Sequence, residues 1–218
     1  MNILYLIIAG LIGYLFGSIP FGYIYVKAKT GQALTEIGSG RTGGTNSLRA
    51  AGKGVGALTS LSDVAKGWLG IGLTWLLLKD VIDPTLLPWA KAVAGVFTVV
   101  GHNWSLFLKF KGGAGTGPNV GWSMAIWFPM FPIAVLVMLG FYLGLGIASV
   151  ASLAMGIIIP VVFAVRYFAG IDPTAAYLIG GIVAAAVVTW ALRPNIKRLL
   201  AGEERVVGPQ ANKKKKEA

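Results

Sequence analysis

Seven apolar runs, each near the length of a bilayer crossing, fill most of this chain: residues 3–26, 58–79, 88–108, 114–128, 130–148, 150–168 and 173–192. A helix that crosses the hydrocarbon needs about 20 such residues, and lipid offers no partner to a backbone amide left outside a helix or closed barrel. The runs therefore predict an all-α integral membrane protein with about seven transmembrane helices. The fourth run is short, and Pro129 and Pro132 divide it from the fifth, because proline withdraws a backbone N–H and breaks the helical ladder. Gly144, Gly146 and Ser149 mark the next turn. A mean hydropathy of +0.73, with 56% hydrophobic and only 12% charged residues, leaves too little polar surface to coat a water-soluble globule.

Charge placement orients such a bundle, since Lys and Arg accumulate on the cytoplasmic side. Lys27, Lys29, Arg41, Arg49 and Lys53 face only Glu36 in segment 27–53; Lys109 and Lys111 follow the third run; eight basic residues lie from Arg193 onward. Seven crossings with the N-terminus outside and the C-terminus cytoplasmic put all three clusters on one face. Asp80, Asp83 and Asp172, with Lys79 and Arg166, fall on the other. Met1-Asn2 lead straight into the first run without a basic segment or a clear cleavage site, which predicts a retained span rather than a signal peptide. Residues 1–200 then form one polytopic membrane domain and 201–218 a basic cytoplasmic tail, with Lys213–Lys216 drawn to anionic headgroups. The net charge of +11 points to membrane lipids and phosphorylated small molecules rather than nucleic acid, because no sizeable water-facing domain carries it. With no Cys and a single His, disulfides, thiolate metal sites and a cysteine nucleophile are excluded, and neither a metal nor a cofactor is expected.

Three polar segments share the predicted cytoplasmic face. In 36–54, Gly38, Gly40, Gly43 and Gly44 let backbone N–H groups approach a ligand, Ser39, Thr42, Thr45, Asn46 and Ser47 add donors, and Arg41 and Arg49 add charge. This is the composition of a phosphate cradle. Its Gly-Ser-Gly-Arg-Thr-Gly fits a dinucleotide fingerprint but lacks the preceding strand that such a site requires. In 109–118, Lys109, Lys111 and a run of glycines follow the lone His102; non-helical backbone at the membrane edge implies an enclosed or watered cavity. His102 reads as a helix-end hydrogen-bonding group or as a proton acceptor. In 193–205, a short helix begun near Pro194 would carry Asn195, Arg198 and Arg205, with Glu203 and Glu204 as partners. Asp63 and Lys66, three apart on one helical face, are expected to form a structural ion pair.

Taken together, GSIPFGY (17–23), GSGRTGGTNSLRAAGK (38–53), DVAKGW (63–68), Gly101-His102 with FKGGAG (110–115), SVAS (149–152) and NIKRLLAGEE (195–204) resemble the bacterial membrane glycerol-3-phosphate acyltransferases of the PlsY type. The resemblance runs nearly the whole chain. It implies seven transmembrane helices in the plasma or inner membrane, a cytoplasmic active site, and transfer of a fatty acyl group from acyl phosphate to glycerol 3-phosphate in phospholipid synthesis. It also implies Ser39, His102 and Lys111 as catalytic groups. Gly40, Gly43, Thr45, Asn46, Arg49, Gly112, Gly113, Asn195, Arg198 and Glu204 are implied as substrate-binding, and Arg41 is added to them for its charge rather than by the resemblance. The family's motifs have Asn where this chain has Arg41, Lys where it has Ala114, and Arg-His where it has Ala191-Leu192.

Acyl phosphate is already an activated anhydride, so its transfer needs positioning and charge neutralisation more than a potent nucleophile. Two phosphate-bearing substrates repel by about 4 kcal/mol per unit-charge pair at ~4 Å and an effective dielectric of ~20; the cations and N–H donors of the three segments oppose that repulsion. Arg41 is expected to supply the charge missing at Ala114. No Ser-His-Asp set is apparent, so the proton of the acceptor hydroxyl could pass to a substrate phosphate, to water or to His102. The His-x4-Asp pattern of acyl-CoA enzymes is absent, since Phe107 stands five residues after His102. Two other readings fit the same residues: a non-catalytic or anion-transporting phosphate-ligand protein, and an acyltransferase for another phosphorylated acceptor.

Overall fold

The computed structural model describes residues 2–207 and Gln210. The Lys213–Lys216 run lies outside the described residues. Nine helices occur among those described: α1 (Asn2–Ser18), α2 (Phe21–Thr30), α3 (Gly44–Ala51), α4 (Lys53–Leu78), α5 (Leu87–Asn103), α6 (Thr116–Ile126), α7 (Met130–Gly144), α8 (Ala148–Phe168) and α9 (Ala176–Leu200). Three stretches, Asn2–Thr30, Ala148–Phe168 and Ala176–Leu200, are long and apolar enough to cross a bilayer by themselves. Large apolar side chains face outward, including Leu136, Phe168 and Trp190, while Asp63, Lys66 and His102 are buried. That inversion of the usual soluble pattern is what a lipid solvent selects.

Three expectations are corrected. The first apolar run is not one helix: it breaks at Ile19-Pro20 between α1 and α2. Pro20 brings no N–H, and the carbonyls freed at the break are taken by side chains: Ser105 Oγ donates to Ser18 O at 2.5 Å and Lys66 Nζ to Ile19 O at 2.9 Å. The glycine-rich segment is not a loop throughout, because Thr45, Asn46 and Arg49 lie on α3. The third polar segment does not start a new helix at Pro194; α9 continues through it. Pro194 deprives Trp190 O of its helical donor, and Arg193 Nη1 replaces that donor at 3.0 Å, so the helix survives its proline.

Helices pack at close range through small residues. A Cβ at Gly13 or Gly17 of α1 would fall on the α5 carbonyl oxygens of Ala94 and Thr98. On the other side, a Cβ at Gly121 of α6 would fall on Val64 O of α4. In lipid, where apolar burial drives helix association little, this backbone approach supplies the contact. At the junction of α5, α6, α8 and α9, fully buried Trp122 stacks on Phe163 with ring centroids 5.6 Å apart. Its indole N–H donates to Asn119 Oδ1 at 2.7 Å. At the end where α6 finishes and α9 begins, Arg166 grips Asp172 through Nε at 3.1 Å and Nη2 at 2.7 Å, and its guanidinium lies 4.8 Å from the Trp127 ring centroid.

At Gly121, a branched side chain must move the backbone of α4. Gly121→Val is expected to cost about 1–3 kcal/mol, read as a lower Tm in detergent. Gly140→Ala, whose Cβ meets nothing within 4 Å, should leave Tm unchanged or slightly higher; equal Tm for both variants would contradict the close α4–α6 contact.

Candidate active site

At the end of the bundle where α5 and α9 finish and α4, α6 and α8 begin, a cavity of about 620 Å³ opens. Its lining joins polar and cationic residues, Ser39, Arg41, Thr45, Arg49, Asn195, Arg198 and Arg205, with apolar ones from α4, α6, α7 and α8, Leu61, Val64, Val120, Phe131, Val135, Met138 and Met155. The polar segments are tied together by hydrogen bonds: Thr42 N donates to Gly112 O at 3.3 Å and Arg41 Nη2 to Ala191 O at 2.5 Å.

Asn46 shapes the first segment. Its buried side-chain amide donates to Ile37 O and Arg41 O, both at 2.9 Å, while its Oδ1 accepts from Ser39 N at 3.2 Å. Gly38 and Gly40, at φ 59° and 69°, take the left-handed turns that this wrapping demands. Asn46 thus holds Ser39 at the cavity wall, with its own amide committed to the loop. The first turn of α3, with Gly43, Gly44 and Thr45, also reaches the wall, and a helix N-terminus there favours an anion.

Glu204 performs the same service for the third segment. Its Oε1 accepts from Asn195 Nδ2 at 2.7 Å and Ser149 Oγ at 3.1 Å; its Oε2 accepts from Arg198 Nε at 2.9 Å. Ile147 and Val206 form an antiparallel bridge alongside, so the strand after α9 returns across the α7–α8 junction. Gly202, at φ 73°, makes that reversal.

The second segment stands differently. Lys111, Gly112 and Gly113 do not line the cavity, and Lys111 is exposed. The glycines pack against the end of α5: Gly113 N donates to His102 O at 2.9 Å, and a Cβ at Gly112 would fall on that same oxygen. Gly40 is likewise absent from the lining. Ala114 and Leu192 do line it. Arg41 lines it with them; the neighbouring Thr42 amide bonds Gly112 O and the Arg41 guanidinium bonds Ala191 O.

Electrostatically the polar part of the lining is cationic. Arg41, Arg49, Arg198 and Arg205 meet Glu204, already held by Arg198, and Asp63, which faces Lys66 at 3.0 Å. Burial and the nearby Arg198 hold Arg41 below the ordinary arginine range; burial and Arg205 do the same to Arg49. Four buried polar atoms of lining residues have no hydrogen-bond partner, Arg41 Nη1, Asp63 Oδ1, Thr116 Oγ1 and Asn195 Oδ1, of which Asp63 Oδ1 is in an ion pair with Lys66. Buried polar atoms are ordinarily satisfied, so an occupant bearing both acceptors and a donor suits this cavity.

Thr116 and the apolar lining residues were not singled out from sequence, while Ser149 entered only within a motif and Arg205 only as a basic group of the third segment. The apolar residues carry no signal in one sequence, since a chain-lining Met or Phe reads like any lipid-facing one.

The comparisons agree with this geometry. A family model described as glycerol-3-phosphate acyltransferase matches residues 7–202. The glycerol-3-phosphate acyltransferase of Carboxydothermus hydrogenoformans is 33% identical over 207 residues, covering 95% of this chain and 99% of that one. That of Erythrobacter litoralis is 36% identical over 208 residues, covering 92% and 94%. The crystal structure of PlsY, an integral membrane glycerol 3-phosphate acyltransferase, superposes in its glycerol 3-phosphate form with a TM-score of 0.80 at 31% identity, covering 94% of this chain and 97% of that one. Its lysophosphatidic acid form gives 0.76 at 30% identity. The fold and its cavity define an integral membrane acyltransferase of the phospholipid pathway. The chain belongs to the glycerol-3-phosphate acyltransferase family.

Removing the Glu204 carboxylate strands two donors and a guanidinium. Glu204→Ala is expected to lower stability by about 1–3 kcal/mol, and Glu204→Gln, which keeps an acceptor, by less. Thermal unfolding in detergent checks the order; identical Tm values for parent and Glu204→Ala would refute the latch.

Proposed function

We propose that this protein transfers a fatty acyl group from acyl phosphate to glycerol 3-phosphate, forming lysophosphatidic acid and phosphate. The observation that carries the reading is one cavity whose lining brings unpartnered and cationic groups together with aliphatic and aromatic side chains. That combination suits a phosphorylated head joined to an acyl chain. The PlsY crystal forms with glycerol 3-phosphate and lysophosphatidic acid support the acceptor and product. In this reading the chain crosses the plasma or inner membrane seven times with its N-terminus outside, and the cavity opens to the cytoplasm, as the basic segments predict.

The reaction needs no covalent enzyme intermediate. The acceptor hydroxyl oxygen attacks the acyl carbonyl, the carbon–oxygen bond to phosphate breaks, and the hydroxyl proton leaves with the released phosphate. Arg41, Arg49 and Arg198 offset the repulsion between the two phosphates. Ser39 and the first turn of α3, with Gly43 and Thr45, donate to phosphate oxygens, and Asn195 contributes its free Oδ1 to an acceptor hydroxyl. Gly40, Asn46 and Glu204 hold these groups in place, and Gly112 and Gly113 let the second segment approach α5. Lys111 sits outside the cavity and raises the local positive potential that attracts anionic substrates. Holding hydroxyl and carbonyl in line is worth roughly 7–11 kcal/mol in effective molarity.

Protein reconstituted in lipid with palmitoyl phosphate and labelled glycerol 3-phosphate is expected to form lysophosphatidate, and Ser39→Ala to lose about 10²–10³-fold in kcat. Phosphate release without lysophosphatidate would replace the acceptor, and activity with acyl-CoA but not acyl phosphate would replace the donor. Arg41→Asn is expected to abolish activity and Arg41→Asn/Ala114→Lys to restore it, because position 114 opens on the same cavity; equal activity in parent and both variants would show that Arg41 carries no catalytic charge.

A further inference from the structure

The buried group that the proposed reaction leaves unused is the cluster Asp63, Lys66 and His102. All three are at most 5% exposed. Lys66 Nζ lies 2.9 Å from Ile19 O, 2.8 Å from His102 Nδ1 and 3.0 Å from Asp63 Oδ1. An ammonium has three N–H donors and no acceptor. Paired with Asp63, Lys66 as an ammonium can only donate to Nδ1 at 2.8 Å, although Asp63 Oδ1 also lies 3.5 Å from that nitrogen; with Lys66 charged, Nδ1 carries the lone pair and the ring proton is on Nε2. The lone pair is occupied by Lys66 and is unavailable to a substrate hydroxyl.

His102 lines the cavity. Its Nε2 packs against the backbone of Gly113, where a Cβ would fall on that nitrogen. We infer that Lys66, balanced by Asp63, fixes His102 as a neutral Nε2–H donor to an anionic oxygen of a phosphorylated substrate, and that His102 is not the proton acceptor of the reaction. Lys66 is a positioning residue: it touches no substrate and acts through the imidazole. This deepens the acyl-transfer reading and rests on it for the identity of the anion, which either glycerol 3-phosphate or the acyl phosphate could supply.

Because His102 is the chain's single His, 15N-histidine labelling of the full-length protein in nanodiscs gives one imidazole to observe. The expected spectrum has a protonated Nε2 and an unprotonated Nδ1. A protonated Nδ1, or a mixture of tautomers, overturns the inference. Lys66→Met is expected to lose the single tautomer. Should that variant not fold, His102→Gln and His102→Asn decide: the Gln amide nitrogen can stand near Nε2, whereas Asn reaches only toward Nδ1. His102→Gln is expected to remain within about tenfold of the parent in kcat while His102→Asn falls by about 10²-fold; equal losses overturn the donor role. Glycerol 3-phosphate, inorganic phosphate and a long-chain acylphosphonate are then added in separate titrations. Movement of the Nε2 resonance by one of them supports the donor role and names the source, and no movement by any overturns it. These spectra need no turnover, so a shift with glycerol 3-phosphate in a protein that makes no lysophosphatidate would sink acyl transfer and leave the Nε2–H donor standing.

Discussion

A single ammonium, that of Lys66, joins the parts of the bundle that converge beside the cavity. It sits where α1 gives way to α2, on α4, and against the last turn of α5. Burying a lysine in a membrane protein is costly unless its charge and all its protons are used. Here the broken helix supplies a carbonyl, α4 a carboxylate and α5 an imidazole nitrogen. The Ile19 carbonyl, turned out of the helical ladder at Pro20, accepts both from Lys66 Nζ and from Phe21 N at 3.2 Å.

From that node the remaining site follows by contact. Close glycine packing brings α6 onto α4 and the second polar segment onto the end of α5. The same segment accepts a hydrogen bond from Thr42, which fixes the glycine-rich loop, and Asn46 wraps that loop so that Ser39 and Arg41 face inward. Glu204 closes the circle from α9 to α8. Asn46, Glu204 and Arg41 are committed to partners within the protein, while Arg41 Nη1, Thr116 Oγ1 and Asn195 Oδ1 are left unpartnered in residues that line the cavity. A preorganised site of this kind has its dipoles in place before the substrate arrives, which is the condition under which electrostatic stabilisation lowers a barrier.

Much of this was legible in the sequence because lipid imposes strong rules. Helices stand over each of the seven apolar runs, the proline pair at 129 and 132 does mark the boundary of α7, and the Asp63–Lys66 pair could be seen from spacing alone. The failures have physical causes. Pro20 and Pro194 look alike in a sequence, yet one lies at a helix break and the other inside α9, where Arg193 donates to the freed carbonyl of Trp190, as Pro160 lies inside α8. The helix α3 was hidden by glycines that compose its start and its end rather than its interior. Lys111 was assigned to the site from its neighbours, but two glycines packed against α5 turn the chain so that it faces outward. The link from Lys66 to His102 joins residues 36 apart, and no periodicity reports it.

Arg41 shows how a cavity can keep its charge while its lining residues change. Ala114 and Leu192 present only apolar surface to the site, at positions where the resemblance implies cations. A guanidinium from the first segment lines the same cavity, anchored by one nitrogen to the α9 backbone and leaving the other buried and unpartnered. The anchor matters as much as the charge. A long flexible side chain loses up to about 2 kcal/mol of rotamer freedom when ordered, and the Ala191 carbonyl has already fixed Arg41 before any ligand binds. Its remaining N–H groups are then available to an anion at little further entropic cost. Positive charge delivered by a strapped arginine from one side of the cavity can serve an anion that a lysine would otherwise reach from another, provided that the strap holds.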